Sequence, residues 1–127
     1  MEERRGMERT QRTVWIIDRQ DWPRAFLRAE LIERGFEVES FLSLSHALRA
    51  LTDAQHPRPH LIVLELRDLD PQPAELETVT HAGIPTLLLA GGIKLSSERV
   101  QGQPWTAVLR RPVTIGQVAD KVEELCP

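Results

Sequence analysis

Three short, unbroken apolar runs constrain this chain more than any other feature: Val14-Trp15-Ile16-Ile17, Leu61-Ile62-Val63-Leu64 and Thr86-Leu87-Leu88-Leu89-Ala90. Runs of this length without polar alternation suit strands buried on both faces, as in a parallel sheet covered by helices on each side. The segments between them follow a helical period. In residues 22–34, Leu27 and Leu31 stand four apart with Phe26 beside them and arginines and glutamates between, which predicts an amphipathic helix. Asp21 is placed to cap it, Pro23 sits in a first turn where a missing N–H costs little, and Gly35 stops it. Residues 36–41 are β-prone. Ser43 or Ser45 opens a second helix with Leu44, Ala47, Leu48 and Leu51 on one face. A weaker helix spans residues 74–81 and closes at Gly83, a short one covers residues 95–101, and a final strand residues 105–109. Thr114 and Gln117 then form a capping box ahead of a last helix, whose Ile115, Val118, Val122 and Leu125 share a face.

A strand–helix unit repeated five times predicts right-handed βαβ crossovers and a doubly wound α/β sheet. At 127 residues, 41% hydrophobic and 28% charged, the chain fits one domain and excludes a disordered or membrane-spanning reading. A net charge of −3 leaves no electrostatic footprint for nucleic acid. Cys126 is the only cysteine, which rules out an internal disulfide or a cysteine metal cluster. Residues 1–12 are polar, charged and aperiodic, and read as a mobile tail ahead of a domain over residues 13–127. That tail has no apolar segment of a secretory signal, so a cytoplasmic location without membrane contact is expected. Gly91-Gly92 fits no nucleotide-binding pattern, and His46, His56, His60 and His81 lack metal-ligand spacing; no cofactor is expected.

Chemistry in open parallel sheets gathers beyond the carboxyl ends of the strands. Those ends carry Asp18, Glu65, Ala90 and Arg110-Arg111. Two carboxylates at neighbouring strand ends are compatible with a divalent metal, with acid–base catalysis, or with salt bridges to Arg19 or Arg111. The residues alone leave the three open, with salt bridging the plainest.

In order and spacing, these pieces resemble the receiver domain of bacterial two-component response regulators, over residues 13–125. Val14 to Asp18 resembles the first strand and its acidic end, and LIERGFEV (31–38) the first helix's end and second strand. Ala47-Leu48 and Leu51 stand where the second helix carries its alanine-leucine pair. LIVLELRD (61–68) is similar to the phosphorylation-site strand, Ile84-Pro85-Thr86 to the start of the fourth strand, and Arg111-Pro112 to a Lys-Pro pair. The resemblance implies a flavodoxin-like (βα)5 fold, with a five-stranded parallel sheet of order 2-1-3-4-5.

It also implies a remodelled site. The acidic pair that helps active receivers hold Mg²⁺ reads Asp18-Arg19, and the phosphoacceptor position holds Glu65, one methylene longer than aspartate. A nucleophile misplaced by ~1 Å can lose about 10²-fold in rate. The two switch positions hold Ala90, which has no hydroxyl, and Val108, which is not aromatic; the phosphate-binding lysine position holds Arg111. The implied protein is a degenerate receiver. It is expected to be non-enzymatic, needing neither metal nor phosphorylation, and to act by binding proteins in bacterial signalling. Glu65 paired with Arg111 either imitates a phosphorylated aspartate or serves only structure. Partners, or a second copy, are expected on the face made by the fourth helix, fifth strand and fifth helix (residues 93–125), with Ile93, Leu95, Val100 and Trp105 as an apolar patch. Trp22 is expected to be packed. Two alternatives follow from the same residues: a Mg²⁺-dependent phosphoacceptor using Asp18, or a small-ligand sensor using Asp18, Ala90 and Arg111.

Overall fold

The computed structural model describes residues 12–67, 71–91 and 98–127. Five strands, β1 (Thr13–Ile17), β2 (Glu37–Phe41), β3 (Leu61–Glu65), β4 (Thr86–Ala90) and β5 (Ala107–Arg110), form one parallel sheet. Its order is β2-β1-β3-β4-β5. The helices between them are α1 (Asp21–Glu33), α2 (Leu44–Leu51), α3 (Pro73–Thr80), α4 (Glu98–Gln101) and α5 (Ile115–Leu125). The expected doubly wound architecture is therefore present. The tail expected over residues 1–12 lies outside the described residues except for Arg12, whose carbonyl accepts from the Glu37 N–H at 3.0 Å. Among the described residues no helix is long and apolar enough to cross a membrane.

The apolar runs become the central strands because successive side chains point to opposite faces and both faces are covered. Trp15, Ile17, Ile62, Leu64 and Leu88 pack on one side with Leu44 and Ala47 of α2, Leu76 and Val79 of α3, and Val100 of α4. Val14, Ile16, Leu61, Val63, Leu87 and Leu89 pack on the other with Leu27 and Leu31 of α1 and Val118, Ala119 and Val122 of α5. Two cores of this kind hold the strands rigidly and leave their carboxyl ends to carry the site.

Local signals account for the helix ends with one revision. Ser43 caps α2 by accepting from the His46 N–H at 3.2 Å, and Thr114 and Gln117 make the reciprocal capping box of α5. Asp21, expected as a cap, is instead the first residue of α1; Gln20 occupies the cap position without capping the helix through its side chain, and Asp21 pairs with Arg24 at 2.8 Å. Gly35 ends α1 at φ 94°, a left-handed conformation that favours glycine. The last strand begins two residues later than expected, since the Trp105 N–H bonds the Gln103 carbonyl in a turn at 2.9 Å rather than joining the sheet.

Candidate functional site: a carboxylate–guanidinium pocket

The strand order reverses between β1 and β3, so the residues following them border the crevice where doubly wound sheets place their sites. Asp18 and Glu65 stand there, 5% and 2% exposed. Carboxylates at that depth need hydrogen bonds and counter-charges to offset lost hydration. Each receives a backbone N–H from two residues further on: Gln20 donates to Asp18 Oδ1 at 2.9 Å, and Arg67 donates to Glu65 Oε2 at 2.7 Å. The Arg111 guanidinium forms an ion pair with Glu65 Oε1. Arg67 Nη2 lies 3.6 Å from Asp18 Oδ2, a charge contact too long for a hydrogen bond. Arg24, one turn into α1, donates from Nη1 to the Asp18 carbonyl at 2.9 Å.

The backbone places Arg111 over this pocket. Its N–H donates to the Ala90 carbonyl at 3.0 Å, extending the β4–β5 ladder by one bond, and the Arg111–Pro112 peptide is cis. Gly91 gives the arginine stem its room: a Cβ there would stand 3.2 Å from Arg111 Cβ.

The sequence-predicted residues fall into three groups. Asp18, Glu65, Ala90 and Arg111 come together at the strand ends, with Ala90 buried in the core that contains Trp15. Arg19 does not join them. It is exposed, and the cation facing Asp18 is Arg67, because the β1–β3 pairing brings the residue after Leu66 alongside that carboxylate while Arg19 leads out into the bend before α1. Arg58 donates from Nη2 to the Ala82 carbonyl at 2.6 Å.

The expected apolar partner patch is also revised. Val100 is 5% exposed and belongs to the core, while Trp105 is half-buried and donates its indole N–H to the Val100 carbonyl at 2.7 Å. Ile93 and Leu95 lie outside the described residues. Val108 is exposed on β5, since Ala107 and Leu109 take the inward positions. Trp22 is exposed rather than packed, because it lies across α1 from Leu27 and Leu31.

Burial raises the Asp18 carboxyl above its ordinary value, against the opposing pull of the Gln20 N–H and of Arg67, Arg111 and Arg24. The folded state therefore binds this proton more tightly than the unfolded chain. Stability tied to that proton is fully present below the unfolded value and is lost as pH rises through the folded value. At neutral pH, where ionised Asp18 opposes folding, Asp18→Asn should raise the urea midpoint, and the gain should vanish below the carboxylate range. A midpoint lowered at neutral pH would mean that the arginine attraction outweighs burial.

No protein-family model and no curated protein matches the sequence. Solved structures do match in shape. The chemotaxis response regulator CheY4 of Vibrio cholerae is 18% identical, with 90% of this chain and 98% of that one covered at a TM-score of 0.73. The N-terminal domain of a response regulator/sensory box/GGDEF 3-domain protein from Carboxydothermus hydrogenoformans is 14% identical, with coverages of 90% and 93% and a TM-score of 0.74. Full-length FixJ from B. japonicum is 21% identical, with coverages of 91% and 58% and a TM-score of 0.72. The chain is a flavodoxin-like doubly wound domain. Within that class, its fold is the one found in response regulator receiver domains.

The receiver fold raises the question of Mg²⁺. That ion takes near-octahedral oxygen ligands, with carboxylates free to turn toward it. Here Glu65 Oε1 faces the Arg111 guanidinium and Asp18 Oδ2 faces Arg67, so both carboxylates already have a cation where the metal would stand. This donor set does not fit Mg²⁺.

Proposed function

We propose that this protein is a receiver-fold interaction module of bacterial signal transduction that works without phosphorylation and without catalysing a reaction. The observation that carries the reading is the ion pair between Arg111 and the buried Glu65. A glutamate stands at the phosphoacceptor position, and its counter-charge is already in place. A phosphoryl group would need an attacking oxygen free of that pair, a metal beside Asp18 and a hydroxyl at position 90. Arg67 and Ala90 stand where the last two would be needed. With no hydroxyl at position 90 to follow the pocket's charge, Glu65 and Arg111 hold one state rather than toggle between two.

Function then rests on surfaces that bind a partner protein. Exposed Val108 on β5 lies on the face that the receiver resemblance singles out. A groove of about 400 Å³ runs between the end of β5 and α5, with Arg110 and Lys121 set against Asp120 and Glu124. Mixed charge around a partly apolar floor suits a protein partner better than a nucleic acid.

Amide NMR spectra with Mg²⁺, and then with Mg²⁺ and beryllofluoride as a phosphoryl mimic, test the reading. The resonances of Asp18, Glu65 and Ala90 should stay in place. Saturable shifts centred on those three residues at low-millimolar Mg²⁺ would restore phosphoryl signalling as the function.

A further inference from the structure

Helix α1 turns an apolar face to solvent. Trp22 is 73% exposed and Phe26 56%, and their rings stack with centroids 5.8 Å apart. Ile32 is 44% exposed, and exposed Ala25 and Ala29 lie between these large side chains. Positions 22, 25, 26, 29 and 32 form one stripe at helical spacing, opposite Leu27 and Leu31. The two aromatics and Ile32 together offer apolar area on the order of a few hundred Å², the size at which a surface patch marks an interaction site.

The charges beside the stripe select the occupant. Asp21, one of whose oxygens already pairs with Arg24 within the helix, and Arg28 are seven residues apart, two helical turns along the same flank, and both are exposed. Arg28 has no acidic partner among the described residues. When two identical helices pack antiparallel about a two-fold axis, like flanks face each other in opposite directions. With the axis near Ala25, Asp21 meets the partner's Arg28, and Arg28 meets the partner's Asp21. In the same arrangement Trp22 lies over the partner's Ala25 and Ala29, whose small side chains leave space for the indole. A parallel pair would instead set each flank against the partner's opposite flank and leave Asp21 and the partner's Arg28 on different sides of the contact. The stripe is thus complementary to itself in shape and in charge.

We propose that α1 is the interface of a homodimer in which two copies pack antiparallel through Trp22, Ala25, Phe26 and Ala29, closed by reciprocal Asp21–Arg28 pairs. One helix face from each copy is small beside the ~800 Å² per partner of a standard interface, so the association is weak and concentration-dependent. The inference does not depend on the state of the Glu65–Arg111 pocket, and it leaves β5 free for a different protein.

Sedimentation equilibrium of the full chain over a wide concentration range tests it. The wild type should pass from monomer to dimer, and Ala25→Glu should raise the dimer Kd at least about thirtyfold, as loss of a hot spot does. Asp21→Arg and Arg28→Asp should each weaken the dimer, and the two together should restore it. Far-UV circular dichroism and urea midpoints establish that each variant is folded, and the restored double variant keeps the test valid if a single change loosens α1. A wild type monomeric throughout overturns the proposal, including the case in which the stripe binds some other macromolecule. So does a dimer indifferent to Ala25→Glu, which would place the contact elsewhere, and so does a charge-swapped double variant weaker than either single one.

Discussion

Arg111→Ala is expected to cost about 3 kcal/mol of stability, read as a lowered midpoint with unchanged slope in equilibrium urea unfolding. The reason is the carboxylate it leaves behind rather than the contact it removes. Glu65 is buried at the end of a central strand, and without the guanidinium its Oε1 faces the protein interior with a charge and no counter-charge. Arg111 is itself partly exposed, with 30% of its side chain accessible, so losing its stem empties little packed space. Glu65→Gln should cost less, about 1 kcal/mol, since a neutral amide still accepts the Arg67 N–H and needs no counter-charge. The double variant Glu65→Leu with Arg111→Met should approach the wild type, as replacing a whole buried pair by apolar groups often does. If Arg111→Ala alone were neutral, Glu65 would have another source of compensation, and the pair would lose its place at the centre of the proposed function.

Trp15→Ala should be at least as damaging, at about 4 kcal/mol, a cost typical of emptying a large aromatic site. Trp15 is fully buried on β1, with its ring 4.8 Å from that of Phe41 and edge-on to His56 at 5.6 Å. Domains of this size are stable by roughly 5–15 kcal/mol, so this one change removes a large share. Trp15→Phe separates two contributions. The indole N–H has no hydrogen-bond acceptor among the described residues, so phenylalanine removes an unpaired buried donor while keeping most of the ring contacts. Its cost should stay near 1 kcal/mol. A Phe variant as unstable as the Ala variant would show that the indole's full volume, not ring burial in general, fills the site.

The sheet was legible in the sequence because its central strands are buried on both sides. That burial forces continuous apolar runs, and three of them stand out against amphipathic segments of a different period. The strand-end positions were legible for the same reason, since a charge directly after such a run lies where the strand leaves the core. Asp18, Glu65 and Arg111 were found in this way. The cation that meets Asp18 was not. Arg19 is its neighbour in sequence, but Arg67 is its neighbour in space, and only the β1–β3 pairing decides between them. The exposure of Trp22 could have been read, since it lies five residues before Leu27 and nine before Leu31, on the opposite side of a helical wheel. Val100 could not. Its burial depends on how α4 meets the sheet and on the Trp105 indole bonding its carbonyl, both tertiary facts.

Arg34, just past the end of α1, has a consequence for how the molecule responds to its solvent. It donates to Glu30 at 2.9 Å and to Asp120 of α5 at 2.8 Å, with Glu123 3.7 Å away. A single guanidinium thus rivets the end of one helix to the flank of its neighbour, with Asp120 largely exposed to water. Ionic strength acts first on contacts of this kind, because exposed charges are screened while apolar burial is not. Rising salt should therefore loosen the seam between α1 and α5 and leave the two cores intact.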